Sequence, residues 1–235
     1  MEQRRLEWLL VMLLLSLSPR SAAAQSFLVP EPESAVYRTY VLAAESGIEL
    51  LEGLTLTGNV HSNGNLELAS GASVQGDVGA HSFLAIEGTV SGGATEGAAL
   101  IALPSAYDEV AARALAGRVF EESTSFANDE TVNDVVFVAG SVRFSGALSG
   151  AGTVIATGDI VVERKPTAVP GSGDRLALVA LGDIVLEKGR VFRGVLVAQG
   201  DVELEEEVSF TGVVISHGLL SVDEAASVTF EDPSR

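Results

Sequence analysis

The sequence predicts an all-β fold, a single-stranded parallel β-helix with rungs of about 18 residues and one inserted α-helix. The first observation is spacing: Gly140, Gly158, Gly182, Gly200 and Gly218 succeed one another at intervals of 18, 24, 18 and 18 residues. The second is that apolar residues stand at fixed even offsets from these glycines. Two positions on are Val142, Ile160, Ile184, Val202 and Leu220; four on are Phe144, Val162, Leu186, Leu204 and Val222. Four positions back are Val136, Val154, Leu178, Leu196 and Val214, so the same parity runs through the glycine. The third is a large apolar residue at offset ten, at Phe192, Phe210 and Val228. Successive side chains of a strand point to opposite sides, so even offsets define one chain-long buried face. A single short rung cannot bury that face by itself, whereas rungs stacked as a parallel sheet can.

Taken in order, Met1 to Ala24 reads as a secretory signal. Arg4 and Arg5 supply the positive start, Trp8 to Leu17 the apolar run, and Ala22-Ala23-Ala24 the small-residue cleavage site. The run is shorter than the ~20 residues a membrane span needs. Membrane contact is therefore expected only through this peptide before cleavage, and the remainder is expected in the periplasm, at the cell surface or secreted. Cleavage removes three of 14 basic and two of 32 acidic residues, leaving eleven against thirty. So acidic a chain is a poor partner for nucleic acid or anionic lipid. There is no cysteine, so stability outside the cytoplasm must come from burial and ladder hydrogen bonds.

Residues 25–39, with Pro30 and Pro32, form an N-terminal arm, and 40–233 form the solenoid domain. Three rungs begin at Ser46, Gly64 and Ser82, with Ile48, Leu66 and Leu84 at offset two and Leu50, Leu68 and Ile86 at offset four. An insertion at about 104–134 follows. Ser105 and Asp108 precede Val110, Ala111, Ala114 and Leu115, which predicts a helix over 105–116 ended by Gly117. Residues 118–134 are expected to return as a polar connector. About eight rungs result.

The odd offsets point outward. At offset minus three stand Phe137, Ile155, Val179, Val197 and Ile215, an aliphatic ladder longer than most monomers leave bare. It is either roofed by the inserted helix or a contact surface for another chain. Glu163, Glu187, Glu205 and Asp223 form an acidic ladder beside Asp159, Asp183 and Asp201. A cation could bridge such a ladder, but a solvated face that discourages aggregation needs no ligand. The Gly-Asp pairs read as bends in which Asp accepts a backbone N–H. The six extra residues between Gly158 and Gly182 make a turn around Pro166 to Asp174, flanked by Arg164, Lys165 and Arg175. His61, His81 and His217 fall at outward offsets without metal-ligand spacing and are expected at the surface. No acid–base pair is fixed in the loop around Pro166 to Asp174, and no catalytic, cofactor or metal residues are assigned.

The runs from Leu56 to Leu66, Val154 to Ile160 and Leu176 to Ile184, and the ending Val228 to Pro233, resemble an uncharacterised family of bacterial β-helical domains found in exported, pilus-associated surface proteins. More distantly the chain resembles bactofilins, which polymerise through a β-helix. The likeness covers about 40–233, including the helical insertion after Leu103-Pro104. It implies a structural or interaction component of the cell envelope, possessing no catalysis, whose partners are other protein chains or copies of itself. The competing expectation is a glycan-binding or polysaccharide-degrading β-helix, and a chain with only 6% aromatic residues, mostly at inward offsets, disfavours it.

Overall fold

The computed structural model describes residues 27–163 and 174–233. It is a parallel β-solenoid with a three-sided cross-section, and every strand pair is parallel. A representative rung runs through Val195–Ala198 on a first face, Val202–Leu204 on a second and Ser209–Thr211 on a third. The expected columns are the observed register. Val142, Ile160, Ile184, Val202 and Leu220 are successive partners on the second face. Their side chains join one buried interior with those of Phe144, Leu186, Leu204 and Val222. Stacked rings extend the order along the axis: Phe192 on Phe210 at 6.0 Å, and Phe126 on Phe144 at 5.0 Å.

The corners explain the glycine column. Asp183 N donates to Asp159 Oδ1 at 3.0 Å, Asp201 N to Asp183 Oδ1 at 2.8 Å, and Leu219 N to Asp201 Oδ1 at 2.7 Å. Each Asp thus accepts from the next rung. A Cβ on Gly182, Gly200 or Gly218 would fall 2.0–2.2 Å from that carboxylate oxygen. Glycine is required there by the neighbouring rung and not by its own backbone angle.

The order of stacking departs from chain order. On the first face ten strands succeed one another: Ala94–Glu96, Val78–Ala80, Asn59–Ser62, Tyr40–Ala44, Ser209–Ser216, Val191–Ala198, Leu176–Ala180, Thr153–Ala156, Val135–Val138 and Arg118–Phe120. The N-terminal rungs therefore sit on the C-terminal rung, with Leu42 beside Val214 and Ile48 beside Leu220. Residues 118–134 are not a connector but the end rung. Phe120 and Phe126 lie in register with Val138 and Phe144. Ten levels on this face replace the expected eight.

This topology explains the insertion. The chain must pass from one end of the stack to the other, nine intervals of ~4.8 Å or ~43 Å. Residues 98–107 contain neither helix nor strand. Ten drawn-out residues at ~3.3 Å each and seven helical ones at ~1.5 Å supply about that length. A helix starting at residue 105 would shorten the reach. Helix α2 accordingly occupies only Glu109–Leu115, and its cap is Asp108, whose Oδ1 accepts from Ala111 N at 2.9 Å, with Ser105 left in the strap. The arm contributes the short helix α1, Val36–Thr39, and Leu28 N donates to Thr153 Oγ1 at 2.7 Å. Arm, strap and α2 together roof the first face, burying Val36, Tyr37, Leu103 and Ala112 in a second cluster. The 1–24 signal assignment and most of the Pro166 to Asp174 turn lie outside the described residues.

Candidate functional site

The first face carries the expected aliphatic ladder. Phe137, Ile155, Val179, Val197 and Ile215 are all buried beneath the chain's own roof, with Arg113 of α2 placed 5.2 Å over the Phe137 ring. As a contact surface for another chain the ladder is thus not exposed. Between arm and α2 the roof leaves a pocket of about 460 Å³ lined by Phe27, Leu28, Tyr37, Tyr107, Leu115 and Pro233. It is an apolar seat, flanked by Arg38 and Asp232 and not by paired carboxylates.

The second face and its edge are charged. Ser145 and Arg143 hold the Glu163 carboxyl below its usual range, and Glu163 Oε1 accepts from Arg143 at 2.5 Å. Burial, then repulsion from Glu205, Glu206 and Glu224, pushes Asp223 up; burial, then Asp223 and Glu205, does the same to Glu203. The offset-one carboxylates of Asp159, Asp183 and Asp201 are occupied by the rung-to-rung bonds of the corners. Among the described residues no group of three or more His, Asp or Glu is placed to hold a metal ion. The offset-one column is thus taken up by the corners.

The histidines require a correction. His61, expected at the surface, is 4% exposed, because the strap lies over its outward-facing ring. Arg175, from the basic loop, reaches Asp232 O at 2.9 Å and lies 5.1 Å over the Phe27 ring, so it ties the arm to the segment after the last strand. Arg164 and Lys165 are outside the described residues.

The third face is what sequence reasoning passed over. Its strands pair in the order Thr89–Val90, Ser73–Gln75, Thr55–Thr57, Ser227–Phe230, Ser209–Ser216 and Val191–Ala198. In each, one residue (Val90, Val74, Leu56, Val228, Phe210 or Phe192) points inward and its neighbours point out. Two outward rows result. One runs Thr89, Ser73, Thr55, Ser227, Ser209 and Val191; the other runs Gln75, Thr57, Thr229, Thr211 and Arg193. Hydroxyl groups recur at ~4.8 Å across the strands and ~6.7 Å along them. Thr is stiff at χ1, so the side chains of Thr55, Thr57, Thr211 and Thr229 are confined to few rotamers before anything binds. The signal was present at offsets nine and eleven, on either side of the offset-ten core residue. Arg193 ends one row, with its Nε donating to Glu231 at 2.7 Å.

No family model and no curated protein matches this chain. Solved structures do. An ice-binding protein from an Antarctic biological consortium is 12% identical, with 88% of this chain and 94% of that one covered at a TM-score of 0.48. The ice-binding domain of Shewanella frigidimarina is 14% identical, covering 87% and 98% at 0.43, and the antifreeze protein of an Arctic yeast is 16% identical, covering 83% and 91% at 0.42. What the resemblance to pilus-associated and bactofilin-like proteins shares with the structure is the β-solenoid itself.

Proposed function

We propose that this chain is an exported, non-catalytic β-solenoid that works by presenting its third face to a regular, extended ligand, and that the ligand is ice. The observation that carries the reading is the double row of short hydroxyl side chains around Thr57, Thr229 and Thr211. Flat, repeating hydroxyls and methyls hold a sheet of water in a lattice-like pattern, and many weak contacts made at once add up as multivalent binding does. A pocket is not needed. Glycan cleavage would need clustered carboxylates in a cleft, and glycan binding would use exposed aromatics; Phe83 is the one strongly exposed aromatic among the described residues. The place of action remains extracytoplasmic on the Arg4, Arg5 and Ala22-Ala23-Ala24 pattern.

The test is thermal hysteresis and inhibition of ice recrystallisation. Thr57→Tyr and Thr229→Tyr raise a bulky ring above the flat rows and are expected to remove most of the activity with an unchanged circular-dichroism melt. Ser125→Tyr on the second face is expected to leave it intact. A wild-type chain that neither shapes ice nor slows recrystallisation would end the reading. The envelope-scaffold reading, in which copies stack end to end, is favoured by the apolar side chains exposed on the terminal rungs, Phe83 and Ile86 at one end and Val119 at the other. Light scattering after size exclusion separates the two: an ice-binding monomer holds its mass on concentration, whereas a scaffold gains mass.

A further inference from the structure

All three histidines of the chain contact or support one segment, the strap that carries the chain across the roof to α2. At its start, Ala98 N donates to Ala80 O at 3.0 Å and a ring nitrogen of His81, Nδ1, donates to Ala98 O at 2.8 Å. At its centre, Asn63 makes two bonds to one residue: Ile101 N donates to its Oδ1 at 2.9 Å and its Nδ2 donates to Ile101 O at 2.8 Å. At its end, His217 Nε2 donates to Pro104 O at 3.0 Å. Asn63 in turn is oriented from both sides. His61 Nε2 donates to Oδ1 at 3.1 Å, and Nδ2 also donates to Glu45 Oε2 at 2.7 Å. Because Oδ1 can only accept, the His61 tautomer is fixed with its proton on Nε2. The Nδ1 atom is then bare and faces Gly79.

We infer that the strap is an acid-released latch: protonation of His61 undocks residues 98–104 from Asn63 and opens the roof over the first face. A second proton would place an N–H on Nδ1 in a buried site against the Gly79 backbone. The groups around the ring do little to receive the charge. Tyr40 from the first strand lies with its ring 5.4 Å from the imidazole, His81 is a second basic group, and Glu45 is reached only through Asn63. Residues 98–104 carry no charge. Burial pushes the imidazole below its usual value, opposed by the Asn63 hydrogen bond and reinforced by His81. The folded protein thus binds this proton less readily than the unfolded chain does. The docked strap has its full stability above the ordinary histidine value of ~6.5 and loses it as pH falls below that. What opens is the packing of Ile101 and Leu103 into the roofed cluster that also holds Ala43 and Ile215. This inference does not depend on ice as the ligand.

Hydrogen exchange read by mass spectrometry on the full chain, with intrinsic rates corrected for pH, tests it. Between pH 7.5 and 5, peptides spanning 98–104 are expected to lose at least tenfold in protection while those spanning 176–204 keep theirs. His61→Gln preserves a donor to Asn63 and cannot titrate, so its strap is expected to stay protected at both pH values. In the wild-type chain, the His61 ring resonances are expected to titrate below the ordinary histidine value of ~6.5 and in step with loss of the Ile101 amide protection. A strap whose protection does not change with pH, or a His61 that titrates while Ile101 stays protected, overturns the latch; so does a folded His61→Gln chain that releases the strap in acid as the wild type does.

Discussion

Val202→Asp is expected to unfold the solenoid at neutral pH. Val202 is 1% exposed, in register with Ile184 on one side and Leu220 on the other, in the middle of the interior column. A carboxylate there has no partner and no water. Leaving a charge uncompensated in such a place costs about 3–5 kcal/mol, on top of the ~1.5–3 kcal/mol lost with a buried aliphatic side chain. The total rivals the ~5–15 kcal/mol by which domains of this kind are stable. Far-UV circular dichroism is expected to show lost strand signal or a melt displaced far downward. A melt matching the parent would show that even offsets do not face the interior. Glu203→Val, one residue along and pointing outward, reverses the chemistry at a position where burial pushes the carboxyl up, and is expected to be tolerated.

Gly212→Ala is the second large effect, and it arises from backbone alone. Gly212 has φ +144, outside what other residues adopt, and a Cβ there would stand 1.7 Å from Gly194 O. Gly194 meets Leu176 O in the same way at 1.8 Å, so the corner where the third face bends onto the first is a column of backbones in direct approach. Strain in that region costs about 1–3 kcal/mol, and a clash with a ladder carbonyl adds about as much again. The melting temperature is expected to fall steeply. Gly189→Ala is the matched comparison. It shares a positive φ, +72, but nothing lies within 4 Å of the added carbon, so only the ~1–2 kcal/mol of the left-handed region is lost. Equal losses at the two sites would mean that rung-to-rung approach is not what selects glycine.

The sequence disclosed what repeats and concealed what does not. The interior columns were legible because burial enforces an apolar residue at every even offset, so Ile160, Ile184 and Val202 announce one another. The order of the rungs was hidden for the same reason. Ile48 fits against Leu220 as well as against Leu66, and a column made of interchangeable aliphatics carries no label for its neighbour. The end rung at 118–134 was obscured by the absence of a glycine at its corner and by exposed Glu, Ser and Thr, although Phe120 and Phe126 keep the phase. His61 was misplaced because parity reports which way a side chain points, not what later crosses over it; Ile101, which does, is 40 residues away. The Thr57, Thr211 and Thr229 rows were readable at offsets nine and eleven and required only that polar residues be examined with the same periodicity as apolar ones.

The stacking of the first rungs on the last is the claim on which roof, strap and third face all depend, since the hydroxyl rows cross that junction from Thr57 to Thr229. Cysteine pairs in a chain that has none test it directly. Glu49 and Ser221 are register partners across the junction on the second face, and neighbouring parallel strands at ~4.8 Å place their Cα atoms within disulfide range. Ala85 and Ser125 stand at opposite ends of the same nine-stranded sheet, ~38 Å apart, though they would be adjacent if the rungs followed chain order. Under mild oxidation of the folded monomer, Glu49→Cys with Ser221→Cys is expected to close an intramolecular disulfide, seen as the loss of two hydrogens in the intact mass, while Ala85→Cys with Ser125→Cys stays reduced. The opposite result, bridging of the second pair and not the first, would contradict the stack.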